Sequence, residues 1–165
     1  MKPLVIELSD RNVALARDGE VLVSAPSAVF DGSSADAPGT NAWHALRRQP
    51  RSISSRHMRA VITQSTAELS AVRASALVSA ELSQHLAKYP SRPNESVWIA
   101  VPVQADAAGL GMVLGIAQGL GLTVEGFVDA AAVAVSALTT GRSALVLELG
   151  WHHAAVTAVD SGGQA

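Results

Sequence analysis

The chain has no cysteine, which excludes disulfide staples, thiol catalysis and thiolate metal sites. Charged residues are sparse, at 16% with a formal net charge of −2. Such a balance supplies no polyanion-binding surface and argues against nucleic acid as a partner. Long apolar runs are missing too: Asp106, Glu125, Asp129 and Arg142 interrupt them before any reaches the roughly 18 residues a membrane span requires. Met1-Lys2-Pro3 opens directly into a strand-like run rather than a signal peptide. A cytoplasmic protein without membrane insertion is the expectation. What is present is 48% hydrophobic residues in 165 positions and 17.0 kDa, enough for the core of one domain and short for two.

Three short strand-like runs, Leu4 to Leu8, Val13 to Ala16 and Val21 to Ser24, are separated by polar breaks. The Asp18-Gly19 pair in the second break suits a tight hairpin, so the chain starts as an antiparallel meander. Ser24 to Pro38 reads as loop apart from a short strand at Ala28 to Phe30, and Asn41 to Arg48 as a short helix stopped by Pro50. From Arg56 to Tyr89 there is neither proline nor glycine, which predicts one long helix or two abutting ones, ended by Pro90. Val97 to Val103 has the continuous apolar character of a strand covered on both faces. A helix from Asp106 to Gly119, a strand Leu122 to Phe127, a helix Asp129 to Leu138, a strand Ala144 to Leu149 and a return strand Ala154 to Val159 complete the pattern.

Strand-helix-strand succession implies parallel pairing through right-handed crossovers. The expected fold is therefore α/β and ribonuclease H-like: a mixed five-stranded sheet, three antiparallel strands and then parallel ones, with helices on both faces. Residues 1–165 are expected to form a single lobe. The last hairpin is expected to begin a second meander, cut short at Ser161-Gly162-Gly163-Gln164-Ala165, as in the first part of a longer two-lobe protein. Residues 5 to 24 and 144 to 159 are expected side by side in a common sheet.

Two strand-plus-turn segments carry the chemistry: Val5-Ile6-Glu7-Leu8-Ser9-Asp10-Arg11-Asn12 and Val146-Leu147-Glu148-Leu149-Gly150-Trp151-His152-His153. Each brings a carboxylate to the end of an apolar strand and turns into a second strand. The first resembles the opening Asp-Leu-Gly-Thr-Thr-Asn of the 70-kDa heat-shock chaperones and their bacterial relatives in the actin-like ATPase superfamily. Further segments are similar in the same order: Ala25-Pro26-Ser27 to Thr-Pro-Ser, Gly39 to Pro50 to Gly-x-x-Ala and Asn-Pro, and Val101-Pro102-Val103 with Asp106 to Val-Pro-Ala-x-x-x-Asp. Gly119 to Val124 is similar to Ala-Gly-Leu-Asn-Val, and Ala130 to Ala134 falls on Glu-Pro-Thr-Ala-Ala. The resemblance implies an actin-like ATPase lobe whose two hairpins grip the phosphates of ATP with Mg2+, and nucleotide contacts at Ser9, Asp10, Arg11, Gly150, Trp151 and His152.

The departures from the family pattern fall on those same turns. Trp151 and His152 stand where the resemblance places glycines whose N–H groups approach phosphate. Glu7 and Glu148 replace aspartates, and the extra methylene displaces ligands that magnesium's shell, at about 2.1 Å, tolerates poorly. Asp10-Arg11 replaces Thr-Thr, adding a carboxylate that repels phosphate and a guanidinium that attracts it. The family's catalytic lysine falls near Met58, between Arg56 and Arg59, and its glutamate on Ala130 or, one residue earlier, Asp129. Loss of a general base alone costs about 10²- to 10⁴-fold in rate, so the chain is expected to be at most a weak ATPase.

Each candidate has a plainer alternative. Glu7 and Glu148 are weak catalytic or metal-binding candidates, or else solvated carboxylates at strand ends. Trp151 is either an exposed interface anchor or a plug for a vacant pocket. Were the segment a strand, the rings of His152 and His153 would point to opposite faces and share no metal ion. Gly109-x-Gly111-x-x-x-Gly115 imitates a dinucleotide fingerprint but lacks its spacing, and close packing of the helix against the sheet explains it better. Two functions from different classes follow: a degenerate chaperone-type nucleotide-binding lobe with weak or absent ATP binding, and a nucleotide-free actin-fold scaffold that recruits protein partners or a second lobe, as in secretion or pilus assembly machines. A sugar or acetate kinase relative ranks last, since it needs a second lobe and intact phosphate hairpins. Exposed apolar surface on an isolated lobe predicts self-association.

Overall fold

The computed structural model describes residues 2–30, 39–64, 69–138 and 143–160. In chain order the elements are β1 (Leu4–Leu8), β2 (Asn12–Arg17), β3 (Glu20–Pro26), β4 (Val29–Phe30), α1 (Thr40–Leu46), a 3-10 turn at Pro50–Ser52, β5 (Ile53–Ser54), α2 (His57–Ile62) and α3 (Ala71–Lys88). They continue with β6 (Ser96–Val101), α4 (Ala107–Gly119), β7 (Thr123–Asp129), α5 (Ala130–Leu138), β8 (Ala144–Leu149) and β9 (Ala154–Val159). The five-stranded sheet has the order β3-β2-β1-β6-β7. β1 to β3 are antiparallel, whereas β6 and β7 run parallel to β1. This is the mixed sheet expected from the sequence.

Local chemistry accounts for the element ends. Asp18 and Gly19, at φ 57° and 89°, form the two-residue turn that the right-handed twist of the strands favours. Asp106 caps α4 by accepting from the Gly109 N–H at 2.6 Å, and Ser70 caps α3 by accepting from Arg73 N–H at 3.4 Å. The helical stretch after Arg56 is two helices: α2 stops at Ile62, and Gln64, at φ 52°, turns the chain away. Part of the loop expected at Ser24 to Pro38, residues 31–38, lies outside the described residues. β5 has no clear signal in the sequence and pairs with β4 as a small separate ribbon.

Alternation along β1 builds the core. Leu4, Ile6 and Leu8 are fully buried with Val13, Leu15, Val97, Ile99 and Val101, under Met58, Val61 and Ile62 of α2, Val78 and Leu82 of α3, and Val113 and Ala117 of α4. Ala131 and Val135 are the buried positions of α5, which packs against β6 and β7 and against the last hairpin. Arg17 at the end of β2 forks onto Glu95, Nε to Oε1 at 2.7 Å and Nη2 to Oε2 at 2.8 Å, and also donates to the Pro90 carbonyl at 2.8 Å. That pair fastens the meander to the connection between α3 and β6.

One expectation is overturned. Residues 144 to 159 do not lie in a common sheet with residues 5 to 24; β8 and β9 pair only with each other. α5 carries the chain off β7 onto a separate antiparallel ribbon, which meets the first turn tip to tip rather than edge to edge.

Candidate functional site

The two turns are built alike. In the first, Leu8 pairs with Val13 and the Ser9 N–H donates to the Asn12 carbonyl at 3.0 Å. In the second, Leu149 pairs with Ala154 and the Gly150 N–H donates to the His153 carbonyl at 2.9 Å. Glu7 and Glu148 therefore sit at equivalent places, two residues before each turn. The tips face each other across a cleft of about 610 Å³ lined by Glu7, Asp10, Arg11, Trp43, Glu148 and Trp151, among others. Five of the eight sequence candidates are in that group, and Ser9 and Gly150 also line it. His152 points elsewhere, its ring lying 3.2 Å from Ser55 Oγ.

The centre of the arrangement is Asp10. Its carboxylate is 2% exposed and accepts from two consecutive backbone N–H groups of the opposite turn, His152 at 2.9 Å and Trp151 at 3.3 Å. His153 Nδ1 lies 3.2 Å from the same Oδ2. A β-carbon on Gly150 would collide with Asp10 Oδ1 and the His153 ring, so only glycine admits the carboxylate here. Successive N–H groups converging on one point form an anion-binding concavity. In this chain a side chain of its own fills it.

The remaining candidates take definite positions. The Ser9 hydroxyl closes its own turn, accepting from Asn12 N–H at 3.0 Å. Arg11 is exposed, and its carbonyl accepts from Ser27 N–H at 3.1 Å. Trp151 stacks on Trp43, centroids 4.3 Å apart and planes 13° from parallel, and packs against Ala28, Ala42 and Ile53. It is half-buried, closer to the plug than to the exposed anchor. His152 and His153 lie in a turn rather than a strand, yet their rings still find separate partners, Ser55 and Asp10. Burial, with Arg56 and Arg59 adding to it, holds the His152 imidazole below its usual range.

Glu148 is half-buried, and burial pushes its carboxyl up; Asp129 and Glu7 push the same way against the Val103 N–H and His153. Glu148 Oε2 is buried with no hydrogen-bond partner. Asp129 is spent on capping α5, accepting from Ala131 and Ala132 N–H at 2.7 and 3.1 Å. Met58 is wholly buried, and the neighbouring Arg59 reaches the second turn, donating to the His152 carbonyl at 2.7 Å. Among the described residues no group of three or more histidine or acidic side chains is placed to hold a metal ion.

Sequence reasoning missed Trp43 and Gln104, and weighed His153 only as a metal ligand rather than as a partner of Asp10. Gln104 lines a cavity of about 110 Å³ behind Asp10, together with Arg59, Thr63 and His153, and its buried amide has no hydrogen-bond partner. Also unforeseen is a fully buried polar cluster in which Glu81 Oε2 lies 2.9 Å from His57 Nε2 and accepts from Ser27 Oγ at 3.2 Å. It is not a hydrolytic triad. Glu81 and the serine share the imidazole Nε2, and Nδ1 has no hydrogen-bond partner, so no carboxylate orients the ring from the nitrogen opposite the serine.

The five-stranded order, the crossovers and the paired turns define the actin-like ATPase fold. Among solved structures the chain is similar to MreB5 of Spiroplasma citri bound to ADP, with a TM-score of 0.72 and 17% identity over 97% of this chain and 49% of that one. The AMPPNP-bound form of the Spiroplasma citri protein gives 0.70 and 16% over 97% and 50%. The chain thus spans about half the length of these structures. No family model and no curated protein sequence matches it.

Proposed function

We propose that the chain is a degenerate nucleotide-binding lobe of the actin-like fold, with ATP binding and hydrolysis absent, working in the cytoplasm through protein contacts. The observation that carries this is the Asp10 carboxylate on the Trp151 and His152 N–H groups. A phosphate and a carboxylate compete for one set of donors, and the carboxylate is covalently tethered at millimolar or higher effective concentration. Glu7 and Glu148, whose Oε2 has no hydrogen-bond partner, add carboxylates around any incoming phosphate, and among the described residues lining the cleft Arg11 is the arginine that opposes them. The finer placement, near the 70-kDa heat-shock chaperones of bacteria, rests on the ordered sequence segments.

Melting the full-length protein with ATP and Mg2+ tests this. Saturation at about 100 times Kd adds about 2.7 kcal/mol, readily seen as a shift. The expected outcome is no change at millimolar nucleotide. A rise of several degrees, or slow ATP turnover abolished by Glu148→Gln, would remove the reading.

A second reading, a scaffold completed by another lobe or protein, is favoured by the outer face of the last hairpin. Leu145, Leu147, Leu149 and Val156 are between 57% and 77% exposed, with Ala154 and Ala158 between them in register. A two-stranded ribbon with a bare apolar face is marginal in water. Since the chain spans about half of its structural neighbours, the occupant this reading names is a second lobe, replaced by a further copy when the chain is alone. Sedimentation of the isolated chain should show concentration-dependent association that Leu147→Asp abolishes. A wild-type monomer throughout the concentration range counts against it.

A further inference from the structure

The second turn has the features of a finished anion site rather than a ruined one. Two N–H groups and an imidazole converge on one carboxylate, the glycine beside it is required for the approach, and the carboxylate is almost wholly buried. The turn is also held from behind, by Arg59 on the His152 carbonyl and by Ser55 at the His152 ring. These contacts do not involve Asp10, so the turn has fastenings besides its occupant. Asp10 and His153 form a wall common to the outer cleft and the small inner cavity. On the inner side the Gln104 amide is buried and unpartnered, next to Thr63 and the Arg59 guanidinium.

We propose that Gly150, Trp151, His152 and His153 form a binding site for a small oxyanion, that Asp10 is its resident ligand supplied in cis, and that a free carboxylate or phosphate ion takes the place when that side chain is removed. This rests on the proposed loss of nucleotide binding and goes beyond it: the two turns are bridged without any diffusible ligand, because the bridge is built into β1's own turn. Charge-assisted bonds to backbone N–H groups are about twice as strong as neutral ones. A replacement without an acceptor, alanine, therefore leaves the cradle unsatisfied and receptive to an anion, whereas asparagine keeps one neutral acceptor there. Shared chemistry, a compact oxygen anion accepting several N–H bonds, covers both formate and inorganic phosphate. Formate has the planar shape of the aspartate headgroup, and phosphate needs the extra room of the inner cavity.

The experiment is chemical rescue of Asp10→Ala in the full chain, with Asp10→Asn alongside. Hydrogen exchange at the Trp151 and His152 amides should quicken about tenfold or more in the alanine variant, a loss of roughly 1.4 kcal/mol of local protection. Added formate or phosphate at about 100 mM, well above the effective concentration scale of a short tether, should restore it, and chloride at equal ionic strength should not. Rescue by formate alone assigns a carboxylate-shaped site; rescue by phosphate as well extends it into the inner cavity. The proposal is overturned if the amides keep wild-type protection without Asp10. It is equally overturned if protection is lost and chloride does as well as the oxyanions, or if neither variant folds in any of these salts. ATP stabilising the wild-type protein would sink the nucleotide-free reading while leaving rescue untouched, so the two failures are distinguishable.

Discussion

Gly109→Ala is expected to cost about 3 kcal/mol of stability and, for a domain of this size, to lower Tm by about 10 °C. A β-carbon at 109 overlaps the carbonyl group of Ile62, the last residue of α2. Backbone cannot rotate out of the way as a side chain can, so α4 and α2 must separate, opening the layer that contains Val61, Ile62 and Val113. The damage reaches the cleft, because α2 carries Arg59 and its bond to the second turn. Gly111 and Gly115, on the same helix, have open space where an alanine methyl group would stand. Their alanine variants are expected to be neutral or more stable by about 0.5–1 kcal/mol, since glycine is a poor helix former. Thermal melts of the three variants check the contrast, and a Gly109→Ala protein melting within 2 °C or so of wild type refutes the packing argument.

Much of the fold was legible because it is written in local pattern. Leu4 to Leu8 alternates, Asp18-Gly19 supplies left-handed φ values, Asp106 caps a helix, and the apolar Val97 to Val101 run becomes an interior strand. The expected packing of Gly109, Gly111 and Gly115 against the sheet is not what they do: Gly109 packs against Ile62 at the end of α2, and Gly111 and Gly115 face open space. The site was legible only in outline. Glu7, Asp10, Arg11 and Trp151 stand out in the sequence and do line one cleft, but the role of Asp10 depends on donors 141 and 142 residues away. No sequence periodicity reports a contact that distant, and an acidic residue at a turn tip looks the same whether it faces water or fills a cradle. Trp43 and the Ser27, His57 and Glu81 cluster were hidden for the same reason. The last hairpin's separation from the main sheet was not legible, because β8 alternates like any strand of a two-layer core. Its outward leucines are apolar on a face that the described residues leave bare.

Arg17→Met is expected to destabilise the protein by about 3–5 kcal/mol near neutral pH, the cost of leaving a buried charge without its partner. Glu95 is completely buried at the side chain and Arg17 nearly so. Burial alone would raise the Glu95 carboxyl, but the Arg17 fork, the Arg92 N–H and the charges of both arginines outweigh it and hold the group below its ordinary 4.5. A depressed carboxyl contributes stability above the unfolded value, and that contribution disappears as pH falls from about 4.5 through the folded value. Without the guanidinium only the burial effect and the Arg92 contacts remain, so the carboxyl rises and takes up a proton sooner. The gap between wild type and variant should therefore narrow on acidification. His85 adds a background common to both proteins: burial lowers its imidazole below 6.5, and stability is lost as pH falls beneath that value. Urea unfolding at pH 7 and at pH 4 separates the two effects, since only the carboxylate contribution differs between the proteins. Replacing both partners, Arg17→Met with Glu95→Met, should recover most of the loss, because an apolar pair of similar volume carries no desolvation penalty. A single variant that loses under about 1 kcal/mol, as an exposed pair would, or a gap that stays constant with pH, would show that this bridge does not hold the meander to the connection between α3 and β6.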